Sequence, residues 1–123
     1  MGIINGFTGN ASEIKIEKAI DEFGSLMASN EGIEKAYQIV RDAIIFTNKR
    51  MIFINKQGIT GKKTSYHSIP YRQIRHFSVE SLGYFDLDAE LKIWTSAEGE
   101  PVVLNFNKTL NVYDIQALIS EHI

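Results

Sequence analysis

The stretch Asp42–Glu80, DAIIFTNKRMIFINKQGITGKKTSYHSIPYRQIRHFSVE, decides how this chain is read. Ala43–Thr47 and Arg50–Asn55 are short β-rich runs separated by Asn48-Lys49, and Asn tolerates the positive φ of a tight hairpin turn. Lys56-Gln57-Gly58 reads as the next turn, with Gly58 supplying the left-handed residue. Thr64–Ile69 is a further strand that Pro70 stops, because proline has no amide to donate to a ladder. Tyr71-Arg72-Gln73 makes a corner, and Ile74–Glu80 returns as a strand. The segment holds seven of the thirteen Lys and Arg residues, and its acids are Asp42 and Glu80 at its two ends.

Outward from this block, β character extends in both directions. Toward the N-terminus a strand spans Glu34–Arg41, with Tyr37, Ile39 and Arg41 on one face and Gln38 and Val40 on the other. Before it, Ser29-Asn30-Glu31-Gly32 breaks an amphipathic helix predicted over Ser12–Ala28. Ser12 is the expected N-cap, and Ile16, Ala19, Ile20, Phe23 and Met27 form the apolar stripe. Six charges from Glu13 to Glu22 sum to −2, the wrong sign for lying on anionic lipid, so the stripe is expected to pack on protein.

Toward the C-terminus, Ser81–Asp88 is a poorly periodic linker. Ala89–Thr95 then alternates, with Ala89, Leu91 and Ile93 on one face and Glu90, Lys92 and Trp94 on the other. Val102, Leu104 and Phe106 mark the inward face of the last strand. Asn111 caps a final helix whose stripe is Ile115, Leu118 and Ile119, with Asp114 completing a capping box. The count is seven strands and a C-terminal helix, mainly β with flanking helices. We divide the chain into an N-terminal arm and helix (1–32) and a barrel domain (33–123) within one compact domain.

This order of elements resembles the bacterial pleckstrin-homology (PH) domains, formerly a domain of unknown function. The resemblance is carried by Arg41-Asp42 leading into Ile45-Phe46-Thr47-Asn48-Lys49-Arg50, by Gln57-Gly58-Ile59-Thr60-Gly61-Lys62-Lys63, and by Ser68-Ile69-Pro70-Tyr71. Phe77-Ser78-Val79-Glu80 and Phe85-Asp86-Leu87-Asp88-Ala89-Glu90-Leu91 complete it. It implies a PH-like seven-stranded barrel of two orthogonal antiparallel sheets, capped by the C-terminal helix, and homo-oligomeric rings. It implies no established ligand, activity or cofactor.

Composition excludes several chemistries. The chain has no Cys, which rules out disulfides, thiol nucleophiles and thiolate zinc sites. Apolar runs such as Ala43–Phe46 are far too short to cross a bilayer. The opening MGIINGFTGNAS lacks a secretory pattern, and Gly6 stands where myristoylation expects Ser or Thr, so a soluble cytoplasmic protein is expected. GITGKKT suggests a phosphate loop, but Lys56 replaces its first Gly and Lys63 its Ser or Thr, and a strand follows. His67, His76 and His122 show no metal-ligand spacing, and Asp86, Asp88 and Glu90 lack the Gly and bidentate Glu of a calcium loop, with Leu91 and Ala97 in those places. No G-x-S-x-G elbow occurs. These readings argue against an enzyme and against a metal or other cofactor.

Charge is the feature that rises above background. From Lys35 to His76 nine basic residues face one acid, whereas from Phe77 onward two basic residues face eight acids. Neighbouring strands usually pair, so the basic block is expected to lie mainly on one sheet. Self-assembly through patches of opposite sign is the leading reading, with Ile3, Ile4, Phe7 and Trp94 as apolar anchors of a ring interface. Contact with another protein is also open. The alternative is an anionic ligand, a lipid headgroup or phosphorylated molecule, held by Lys49, Arg50, Lys62 and Lys63. Nucleic acid is not expected as a partner: Tyr66, Tyr71 and Arg72 mix with basic residues, but the pI near 5.9 weighs against it.

Overall fold

A run of apolar residues that does not alternate is a strand covered on both faces, and Ala43–Phe46 and Met51–Ile54 are such runs. A computed structural model of the protein describes residues 12–39, 42–57, 62–81, 89–95, 99–106 and 112–123. In it the two runs form the centres of β3 (Asp42–Thr47) and β4 (Arg50–Gln57), joined at Asn48-Lys49 as the sequence predicts. The register sets Ala43 against Ile54 and Ile45 against Ile52 on one face, and Ile44 against Phe53 and Phe46 against Met51 on the other. All eight side chains are buried.

Around this pair a five-stranded antiparallel sheet runs in chain order, from the two-residue β1 (Ser12–Glu13) through β2 (Ile33–Ile39), β3 and β4 to β5 (Lys63–Pro70). A second antiparallel sheet contains β6 (Ile74–Ser81), β7 (Ala89–Thr95) and β8 (Val102–Phe106). Here the alternation read from the sequence is realised. Ala89, Leu91, Ile93, Val102, Leu104 and Phe106 are buried, while Glu90, Lys92, Trp94, Val103 and Asn105 are half-buried. Among the described residues β2–β8 are the seven expected strands, and β1 is an eighth. The chain separates into two compact units, one of Glu13–Pro70 and one containing Tyr71–Ile123, and Gly32-Ile33, expected as a boundary, lies inside the first.

The N-terminal helix differs from expectation. The α1 helix covers only Ile16–Phe23, followed by a 3₁₀ turn at Gly24–Leu26. Ser12 is not its cap: it lies in β1, the Ile14 amide donates to the Ala36 carbonyl at 2.8 Å, and extended Lys15 holds the N-cap position without a side-chain cap bond. Residues committed to the sheet cannot also start the helix. The shorter helix meets the sheet through Ala19 and Phe23, which pack with Ile14 on Ala36, Ala43, Ile45, Ile52 and Ile54. Leu26, Met27 and Ile33 extend this contact, whereas Ile20 is 51% exposed.

The β4 strand runs to Gln57, so Lys56 and Gln57 belong to it rather than to a turn, and the expected Gly58 turn lies outside the described residues. Asp42 supports this extension by accepting from the Asn55 side-chain amide at 3.1 Å and from the Lys56 backbone amide at 2.9 Å. Tyr71–Gln73 forms the corner as a 3₁₀ turn. The C-terminal α2 helix (Val112–His122) buries Val112, Ile115, Leu118 and Ile119, while its expected cap Asn111 lies outside the described residues. His122 at its end stacks on buried Tyr71 with ring centroids 4.8 Å apart. No described helix is long and apolar enough to cross a membrane.

Candidate functional site

The basic candidates Lys49, Arg50, Lys62 and Lys63 fall on two hairpins, and the first is tied to its own unit. In the β3–β4 turn Asn48 accepts from the Gly32 amide at 2.8 Å and donates to the Asn30 carbonyl at 3.2 Å. Thr47 Oγ1 receives the amides of Lys49 and Arg50 and donates to Glu31 Oε2 at 2.6 Å. Arg50 grips both oxygens of Glu31, Nε to Oε2 at 2.8 Å and Nη2 to Oε1 at 3.0 Å. Its remaining donors reach Ser68 Oγ and the Leu26 carbonyl. The Glu31 side chain is 1% exposed. The hydrogen-bonded Arg50 guanidinium holds its carboxyl at about 2, against the burial that pushes the other way, and Glu31 in turn raises Arg50.

Arg50 therefore serves an internal fork, which a planar bidentate cation suits well. Lys49 beside it is exposed, as are Lys62 and Lys63. The register sets Arg50 against Pro70 and Gln57 against Lys63, so the two basic groups sit at opposite ends of β4, about 23 Å apart at a strand's rise per residue. The four residues expected to hold one anion are split into two sites, and Lys56 falls with the Lys62-Lys63 group. No ion pair engages Lys49, Lys56, Lys62 or Lys63 among the described residues.

The outward face of the second sheet carries the other candidates. Trp94 lies opposite His76 in the β6–β7 register and stacks on it at 4.4 Å and 24°. Glu80 and Glu90 stand directly opposite each other, a repulsive placement across strands. Lys92 offsets it by reaching both, at 3.5 Å each. His67 is exposed on β5, so the three histidines serve three different surroundings. Ile3, Ile4 and Phe7 lie outside the described residues.

Two sheets that run as successive meanders, followed by a C-terminal helix, form the element order expected of the PH resemblance. A family model described as bacterial PH domain matches residues 2–123. The chain belongs to the bacterial PH domain family. This bacterial PH domain is 48% identical over 121 residues to the uncharacterized protein YjqA of Bacillus subtilis (strain 168), covering 98% of this chain and 97% of that one. Among solved structures it is similar to a DUF1696 family protein with a pleckstrin-homology domain from Shewanella loihica PV-4, at 48% identity and a TM-score of 0.86 over 94% of this chain and 98% of that chain. A pleckstrin homology domain from Shewanella amazonensis SB2B matches at 47% identity and a TM-score of 0.71, covering 98% of both chains.

Sequence reasoning missed Glu31 in this bacterial PH domain, reading it only as part of a helix break. Its partner is nineteen positions away, and an isolated acid in a polar turn carries no sign of such a pairing.

Proposed function

We propose that this bacterial PH domain is a cytoplasmic, non-enzymatic interaction and scaffold module that assembles with copies of itself into a closed ring. The supporting observation is the uneven neutralisation of charge. In sequence the unit Glu13–Pro70 carries nine basic residues and seven acids, and Tyr71–Ile123 carries four basic residues and eight acids. Within the first unit Glu31 and Glu13 pair with Arg50 and Lys35, and Asp42 serves the end of β4. Among the described residues Lys49, Lys56, Lys62 and Lys63, at the two ends of β4, form no ion pair, and neither do Lys15 and Lys18 beside the acids Glu17, Asp21 and Glu22. A basic patch on one copy that meets an acidic patch on another makes a head-to-tail contact, which closes when the rotation permits. Trp94, with Ile3, Ile4 and Phe7, supplies the apolar anchors.

Light scattering over a series of salt concentrations tests this reading. A multimer at moderate salt is expected, loosening as salt rises and weakened by Trp94→Ala. A monomer at every protein concentration overturns it. The second reading, an anionic ligand, rests on exposed Lys62 and Lys63, with Lys49 and Arg50 at the far end of β4. Flotation with phosphatidylserine vesicles at low salt checks the lipid form of that reading, and failure to float discards it.

A further inference from the structure

Among the described residues β5 is the outer strand of its sheet. Which of its backbone groups face outward follows from β4. The amides of Arg50 and Lys56 donate to Thr47 and Asp42, both on β3, so the even-numbered residues of β4 turn their backbone toward β3. Met51, Phe53, Asn55 and Gln57 then turn toward β5, where they oppose Ile69, His67, Ser65 and Lys63. By the alternation of an antiparallel ladder, Thr64, Tyr66 and Ser68 direct N–H and C=O away from the sheet. Pro70 falls in the same phase, where a missing amide removes no ladder bond. No backbone bond engages this outward series among the described residues.

Natural edges are commonly short, bulged or covered. This one is eight residues long and pairs with β4 without a register shift. Tyr66 at its middle is 54% exposed. Lys62 and Lys63 at its start are exposed, and no acid occurs in sequence between Asp42 and Glu80.

We propose that β5 is a docking edge for an extended acidic peptide segment of another protein, which adds antiparallel as a further strand. Main-chain bonds to Thr64, Tyr66 and Ser68 would carry the affinity. Tyr66 would cover the peptide's side chains, and Lys62 and Lys63 would select acids near its C-terminal end. A second copy's β5 fits less well, because that strand brings two more lysines and no acid. The proposal stands apart from self-assembly and does not need it.

The probe is a synthetic nine-residue peptide of alternating valine and threonine ending in three glutamates, titrated at low salt into the ¹⁵N-labelled full chain. The expected result is shifts and slowed exchange at the amides of Thr64, Tyr66 and Ser68, with little change in the exchange of Ser65 and His67. Tyr66→Pro removes one outward donor and leaves the β4 ladder intact, and it is expected to weaken binding about tenfold, the worth of a lost hydrogen bond. Methylation of alternate peptide amides, on the edge facing β5, provides the same test without altering the protein. Replacing the glutamates by lysines is expected to abolish binding. Absence of binding, or binding indifferent to these changes, overturns the proposal. So does protection of the three amides before peptide is added: in dilute protein it means the chain itself fills the edge, and protection that grows with protein concentration means a second copy does.

Discussion

Glu31 and Arg50 show how one pair sets a condition on the whole fold. The Glu31 carboxyl, held at about 2 against an ordinary 4.5, favours the folded state fully above pH 4.5, and that contribution is lost as pH falls toward 2. Glu31→Gln is expected to cost on the order of 3 kcal/mol near pH 7. At pH 2 the variant and the parent should differ far less, because most of the stabilisation from the Glu31 carboxylate is lost by the pH at which it is half protonated in the folded state. Urea unfolding at the two pH values measures this, and an equal loss at both would remove the ion pair as the cause. None of this was legible at residue 31 in the sequence. By contrast Asn48 could be read as a turn residue, because positive φ is a local preference, whereas its bonds to Gly32 and Asn30 are long-range.

At the scale of elements, the strands were more legible than the first helix. Alternation in Ala89–Thr95 and Val102–Phe106 names the buried face directly, since a strand has two faces and a period of two. The stripe Ile16, Ile20, Phe23, Met27 predicts an amphipathic helix, but helical periodicity does not say where the chain leaves the sheet. Because Ile14 is bonded to β2, the helix starts late, and it packs through Ala19 and Phe23 while Ile20 is exposed. Phe23→Ala is therefore expected to destabilise by about 3–4 kcal/mol, as for a buried aromatic cut to a methyl. Ile20→Ala should stay within about 0.5 kcal/mol, as at other exposed positions. Comparable losses in denaturant unfolding for the two variants would contradict the packing described for α1.

For the whole molecule, the charge contrast visible along the chain is smaller between its compact units. The basic strands share their unit with the acidic α1 segment, so that unit is nearly balanced, and the contrast survives at Lys49, Lys56, Lys62 and Lys63, which form no ion pair among the described residues. Assembly that weakens with salt would tie these residues to the interface, whereas assembly indifferent to salt would shift the weight to Trp94 and apolar surface. The sequence by itself determined the family, the order of seven strands and the C-terminal helix, and the inward residues of the second sheet. These rest on local propensity, on a period of two, and on motifs contiguous in the chain. Only the tertiary structure decided that Arg50 belongs to Glu31, that Asn48-Lys49 and Lys62-Lys63 stand at opposite ends of β4, and that the backbone of Thr64, Tyr66 and Ser68 faces outward. Those facts depend on strand register and on the partners that register brings together, which periodicity along a single strand does not encode.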